Sequence, residues 1–334
     1  MKYLHLVMLG AALAGPLSCA SRPAPAAVDA PRLVPPDLHG EALALVPEGS
    51  LGWVRLDLAT LRRSPHFDGT LEAARSLGAD LAMVQRELGH DVFRQGELAV
   101  LAIFPPPGRG QAGWPLAVVR GALDREAIVA EARARLPNAA PTEAEEEGYR
   151  FTVIGQRAYL FAAPDVMLMM ERGLVRRVAA RLRGRDPQSA QDEGTFRALL
   201  ARAEGADKPA RFVLNLEAIR GLQSLSVRNA PQVDAINQLA GWAELPDASH
   251  IHAVGLTSTA RAAREVADIV TRESQRMGGL LPVRLLGLSR LLNQGVRARA
   301  EGELVTLDVD ATRDESRRAM RIATILDDLT GEAD

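Results

Sequence analysis

The sequence predicts an α+β protein made of two similar units, each an antiparallel sheet covered by helices. Three observations predict this fold: short segments of alternating apolar and polar residues, longer segments with apolar residues at helical spacing, and an order of segments that repeats in the second half. The chain has 334 residues, of which 47% are hydrophobic, and this is enough for a proper core. We place the first unit at residues 41–190 and the second at 191–334.

The first unit begins with an alternating strand, and a helical region then opens at Ser64 and Pro65. Serine is a preferred N-cap, and proline suits the first helical position. The acidic run from Glu143 to Glu147 lies between a proline and a glycine, which predicts a solvated loop. The predicted strands are 51–58, 97–104, 115–121, 149–154 and 158–162, and the predicted helices are 64–88, 124–136 and 164–182.

The second unit repeats this order with a strand, helical material, a strand pair, a helix, a hairpin and a last helix. The segment 264–270 is predicted as the partner of the strand 250–257, although a helix is an alternative there. Pro282 must kink or split the helix 273–292. The remaining predicted elements are strands 210–216, 296–300 and 304–311 and an amphipathic helix over 313–329.

The first residues have the pattern of a secretory signal. Lys2 precedes an apolar run from Tyr3 to Ala14. This run is too short to span a bilayer, which needs about 20 apolar residues. Gly15 and Pro16 then break the helix. We therefore expect export, with a signal peptide over residues 1–18.

A small residue before a lone cysteine follows, in the stretch Leu17-Ser18-Cys19. This stretch resembles the lipobox of bacterial lipoproteins, although Pro16 stands where that family prefers leucine. The resemblance implies cleavage before Cys19, a diacylglycerol on its thiol and attachment to the membrane through that lipid. Simple cleavage after a nearby alanine is the alternative. Cys19 is the only cysteine, so it forms no intrachain disulfide.

Residues 19–40 are rich in proline and alanine and predict an extended tether. Lipoproteins use such a tether to lift the folded domain off the membrane. No aspartate stands beside Cys19. By resemblance to other envelope systems, this favours the outer membrane.

Two further stretches carry a second resemblance. Residues 42–50, Ala-Leu-Ala-Leu-Val-Pro-Glu-Gly-Ser, lead to the stretch 58–67, Leu-Ala-Thr-Leu-Arg-Arg-Ser-Pro-His-Phe. Both stretches, together with 118–124, resemble a family of bacterial envelope proteins of unknown function. The resemblance implies a two-part α+β fold at the envelope and supplies no activity and no catalytic residues.

Composition argues against several classes of ligand. The net charge is -2 and aromatic residues make up 4% of the chain, so we expect no binding of nucleic acid and no sugar-stacking lectin. We expect no cofactor, because Gly278-Gly279 lacks the spacing of a phosphate loop.

Candidate chemistry is sparse. His250 and His252 share one face of a predicted strand and could supply two metal ligands, but no third ligand is evident. We expect no metal site, and no cleft that joins either histidine to a carboxylate and a nucleophile. Arginines crowd the end of one predicted helix, where they either meet anionic lipid or form a solvated face. These arginines are Arg172, Arg176, Arg177, Arg181, Arg183 and Arg185.

We therefore expect a non-enzymatic envelope lipoprotein that acts as an interaction or scaffold module with a protein partner of unknown identity. The alternative is a carrier or chaperone for an apolar ligand, with a cleft lined by Met167, Leu168, Met169 and Met170. A divergent hydrolase is the third hypothesis.

Overall fold

The structure is a computed structural model, and it shows an α+β protein with one large sheet. It describes residues 35–319 except 64–94, 107, 109–112, 136–139, 187, 191–193, 206, 221–234, 245–248 and 317. The strands are β1 (Gly52–Asp57), β2 (Gly96–Phe104), β3 (Trp114–Gly121), β4 (Thr142–Glu146), β5 (Tyr149–Ile154), β6 (Arg157–Ala163), β7 (Val166–Glu171), β8 (Ala210–Asn215), β9 (Ile236–Glu244), β10 (Ser249–Thr257), β11 (Val296–Glu301) and β12 (Leu304–Ala311). The α-helices are α1 (Leu58–Leu61), α2 (Arg125–Arg135), α3 (Val175–Leu182), α4 (Gly194–Ala203), α5 (Leu216–Arg220), α6 (Ala260–Gly278) and α7 (Leu281–Leu285).

All twelve strands form a single antiparallel sheet, in the order β11-β12-β10-β9-β8-β1-β2-β3-β7-β6-β5-β4. The strands that precede residue 190 occupy one half of the sheet, and the later strands occupy the other half. The pair β1 and β8 joins the two halves, with Trp53 opposite Val213. The predicted α+β fold with antiparallel strands is confirmed, and the sheet continues across the predicted boundary.

Helices cover both faces of the sheet. We call the front face the one that carries Trp53, Val213 and Val254, which is covered by a short 3-10 helix at Ala42–Leu45 and by α3 and α4. The back face is covered by α2 in the first half and by α6 in the second half. Because side chains alternate along a strand, each interior strand contributes to the core of both faces.

Most of the predicted strands are present, but three segments differ. The acidic run was predicted as a loop and instead forms the edge strand β4, in which Ala144 packs on the core while the neighbouring glutamates are exposed. The start of the predicted helix 164–182 is the strand β7, because this apolar run lies inside the sheet and is buried on both faces. The segment 264–270, predicted as a strand, lies in helix α6. Thr259 caps this helix by accepting a hydrogen bond from the backbone N–H of Ala262, 3.1 Å away.

Strand β10 pairs with β12 on one side, and the sequence did not predict its partner on the other side. That partner is β9, which runs through a segment predicted as helical. The predicted last helix begins as expected. Thr312 and Glu315 form a capping box in which each side chain bonds the other residue's backbone N–H. Cys19, the signal peptide, most of the tether, His66 and His90 lie outside the described residues.

Candidate functional site

A pair of histidine–aspartate contacts lies on the front face, near one end of the second half of the sheet. His250 and His252 on β10 stand directly opposite Asp310 and Asp308 on β12. Nδ1 of His252 lies 2.7 Å from Oδ1 of Asp308, and Nδ1 of His250 makes the equivalent contact with Asp310. Trp242 on β9 packs against both imidazoles, with ring centroids 5.0 and 5.5 Å away. Both histidine side chains are partly exposed.

The expectation was that no cleft joins either histidine to a carboxylate and a nucleophile, and the aspartate partners themselves were not predicted. A carboxylate bonded to Nδ1 fixes the ring orientation and leaves Nε2 as the outward nitrogen, which is the arrangement found behind metal-bound and catalytic histidines. Yet within the described part of the chain no three His, Cys, Asp or Glu residues are placed to hold a metal ion. His250 and His252 therefore remain a polar cluster on a sheet surface, tied to Trp242 and two aspartates.

Four of the six arginines near the end of α3 bond the protein itself, and all of the six except Arg181 are exposed. The Nε of Arg181 donates to the carbonyl of Ala44 at 2.7 Å, and this side chain is 7% exposed. Arg177 donates to the carbonyl of Glu48 and lies over the ring of Phe104. Arg183 and Arg185 both bond Glu147 in the turn after β4. The sequence located this cluster but did not indicate that it ties chain segments together.

Three further arginines lie on the front face, and two of them contact residues 38–41. We call them the arginine row: Arg120 on β3, Arg55 on β1 and Arg211 on β8. The guanidinium of Arg120 donates to the carbonyls of Leu38, 2.6 Å away, and of His39 and Gly40. The Nε of Arg55 bonds the carboxylate of Glu41 at 3.2 Å. Residues 38–41 are thus fixed to the sheet by charged donors.

Arg211 differs from the other two members of the row. It stands directly opposite Arg55 on one side and Trp242 on the other. No hydrogen bond of its guanidinium is found among the described residues, whereas Arg120 and Arg55 bond the segment 38–41. Its buried Nε lacks a partner there, as does the Nε of Arg120. Burial lowers the pKa of its guanidinium, and the positive charge of Arg55 lowers that pKa further. Sequence analysis missed this residue, because only the pairing of β1 with β8 brings the two arginines together.

An exposed apolar patch lies after helix α6. Leu280, Leu281, Leu285 and Leu286 are 50%, 65%, 79% and 43% exposed. They belong to α7 and the residues beside it, and Arg284 among them is also exposed. We call these four side chains the leucine patch. Soluble proteins rarely leave several large apolar side chains together in water without a use for them.

The methionine run has a structural role. Residues 166–170 are each at most 1% exposed, and their side chains pack alternately into the front and back cores. A groove of about 270 Å³ does lie between α2 and the β4–β5 hairpin. Its lining is mostly polar, with Arg125, Glu126, Arg133 and Glu143 among its residues. Neither feature offers an apolar ligand a cleft of the kind that the carrier hypothesis requires.

Among known proteins, only solved structures show a similarity to this chain. No family model matches the chain, and no curated protein matches it. Among solved structures, crystal form III of TP0453 is similar, with a TM-score of 0.49 and 10% identity over 87% of this chain and 100% of that one. Crystal form IV has a TM-score of 0.46 and 10% identity over 85% of this chain and 96% of that one. Crystal form I has a TM-score of 0.45 and 11% identity over 86% of this chain and 97% of that one.

Within the described residues, no helix combines the length and apolarity needed to cross a bilayer.

Proposed function

We propose that this chain is an envelope lipoprotein, anchored to the outer membrane through lipid on Cys19, that acts as a scaffold module without catalysis. Its task in this proposal is to hold a protein partner near the membrane. The observation that carries the proposal is the leucine patch, because it is an apolar surface that a partner can cover.

The energetics of the patch favour a partner. Burying one leucine side chain fully stabilises a complex by about 1.5–3 kcal/mol. The most exposed members, Leu281 and Leu285, would therefore contribute much of the affinity of a moderate interface. Arg284 stands among the leucines. Protein interfaces are enriched in arginine relative to the rest of the surface, so this composition suits a protein better than an uncharged ligand.

The join between tether and domain supports the same proposal. A tethered module must remain folded when the tether is pulled. Here Arg120, Arg55, Arg177 and Arg181 bond residues 38–48, immediately after the tether. These contacts fasten the first folded residues to β3, β1 and α3, so that tension on the tether reaches the body of the sheet.

Photo-crosslinking tests the proposed partner surface directly. A photoreactive amino acid replaces Leu285 in the full chain, expressed in its own membranes. The matched control carries the same amino acid at Arg299, an exposed position on β11 away from the patch. We expect a discrete protein adduct from position 285 that position 299 does not give. Adducts with lipid alone, or the same adducts from both positions, would contradict the proposal.

The anchor is tested separately. We expect Cys19→Ser to prevent lipidation and to release the chain from the membrane fraction or leave it unprocessed. Metabolic labelling with an alkyne fatty acid should mark the natural chain and not the variant. If the natural chain fails to label, the anchor is wrong, and the leucine patch then has to act without a membrane tether.

A further inference from the structure

The arginine row contains two members with partners and one, Arg211, for which the described residues supply none. The guanidinium of Arg120 donates hydrogen bonds to three backbone carbonyls, and Nε of Arg55 donates one to the carboxylate of Glu41. No hydrogen bond or ion pair of Arg211 is found in the described part of the chain, and no bond of the two terminal amino groups of Arg55 is found there either. Two guanidinium groups therefore belong to residues that stand directly opposite each other on neighbouring strands, and donors of both lack an acceptor among the described residues.

This arrangement costs stability. Like charges directly opposite each other in an antiparallel pair repel. A buried donor without a partner loses its hydration, at a cost of about 1–3 kcal/mol. Burial and Arg55 together lower the pKa of Arg211. Local costs of this kind are typical of binding sites.

We propose that Arg211 and Arg55 form a binding site for the phosphate group of a ligand. Arginine presents paired N–H donors in a planar fork that fits phosphate oxygens. The carboxylates of Glu41 and Asp207 both act on Arg211, so the site relies on the two guanidinium forks rather than on an excess of positive charge. Trp242 stands directly opposite Arg211 on β9.

The place of the site suggests two sources for the phosphate. Glu41 follows the tether directly, so the site lies at the domain end of the tether, if the anchor exists as proposed. The tether keeps the domain within reach of the membrane, where phospholipid headgroups carry a phosphodiester. A soluble phosphate ester in the surrounding compartment has the same chemistry. Both sources use the same arginines, and experiment distinguishes them.

The first test is thermal unfolding of the detergent-solubilised full chain, with and without inorganic phosphate, at equal ionic strength set with chloride. We expect phosphate to raise the melting temperature of the natural chain, because a ligand that binds only the folded state stabilises it. Arg211→Gln should abolish that rise and weaken phosphate binding about 10- to 100-fold. Without phosphate, the variant should melt at the same or a higher temperature, because it removes an unpaired charge.

Arg120→Gln is the matched control from the same row. It should lower the melting temperature without phosphate, because it breaks the contacts with residues 38–40, and it should retain the rise with phosphate. Arg211→Lys keeps the charge without the fork and should give an intermediate rise. The site is refuted if phosphate leaves the natural chain unchanged. It is also refuted if Arg211→Gln destabilises the free chain as Arg120→Gln does and still responds to phosphate.

Vesicles then identify the source. Flotation compares galactolipid vesicles, which lack phosphate, with galactolipid vesicles containing phosphatidylglycerol, using the Cys19→Ser chain to remove the anchor. Binding that requires phosphatidylglycerol and is lost in Arg211→Gln supports the site and assigns it to a lipid headgroup. Stabilisation by inorganic phosphate without a difference between the vesicles supports the site and assigns it to a soluble phosphate ester. The outcome does not depend on the leucine patch, so this proposal and the proposed scaffold function can fail independently.

Discussion

Strands β7 and β10 both lie inside the same sheet, yet their surroundings differ. In β7, residues 166–170 are each at most 1% exposed, because α3 covers the front face and α2 covers the back face. In β10, Ala253 and Val254 are buried, whereas His250 and His252 remain partly exposed on the front face. The first half of the sheet is thus packed on both sides, and part of the second half has one open face. The difference separates residues that stabilise the fold from residues that are available to contact other molecules.

The largest expected effect is in the closed half. Leu168→Ala on β7 removes a fully buried side chain, and we expect the free energy of unfolding to fall by about 2–5 kcal/mol through lost apolar contact and the resulting cavity. Denaturant unfolding followed by circular dichroism measures it. A loss below about 1 kcal/mol would show that β7 is not the rigid core strand described above.

The join between tether and sheet should give an intermediate effect. Arg120→Gln removes charged hydrogen bonds to three carbonyls, and we expect a loss of about 1.5–3 kcal/mol. Hydrogen exchange should accelerate locally at residues 38–40. Arg299→Gln, at an exposed position on β11, is the control and should change stability by less than about 0.5 kcal/mol. Equal effects of the two substitutions would argue that the bonds of Arg120 to residues 38–40 contribute nothing to the stability of the fold.

The open face should give the smallest loss. His252→Ala breaks a partly exposed contact with Asp308 and a ring contact with Trp242. We expect a cost of about 0.5–1.5 kcal/mol, well below that of Leu168→Ala. The same denaturant titration compares them. If His252→Ala costs as much as the core substitution, the histidine cluster is structural and the contrast between the two halves fails.

The sequence predicted the hairpins well, because local turn chemistry determines them. Glu301-Gly302-Glu303 separates two alternating segments, and the structure has β11 and β12 there, with Gly302 at a φ of 57°. The sequence did not predict β9, because Ile236–Glu244 has few β-branched residues and only a weak alternation of apolar and polar residues. In α6, the buried residues Ala263, Val266 and Ala267 follow helical spacing, which favours the helix that was the alternative for 264–270.

The candidate sites were less predictable than the fold. The shared face of His250 and His252 follows from strand periodicity alone, whereas their aspartate partners depend on the register with β12. Arg55 and Arg211 belong to different predicted units and meet only because β1 pairs with β8. No local pattern contains that information. The exposure of the leucine patch also depends on tertiary packing, because the same leucines would suit a buried helix.

The most direct test of the central claim combines stability and binding in one variant. Leu281→Ser with Leu285→Ser removes the two most exposed members of the leucine patch. We expect the melting temperature of the purified chain to remain within about 2 °C of the natural value, since exposed side chains contribute little to folding. In the same variant, with the photoreactive amino acid placed at Arg284, the protein adduct obtained at that position in the natural chain should disappear. Retention of the adduct, or destabilisation comparable to that of Leu168→Ala, would contradict the account.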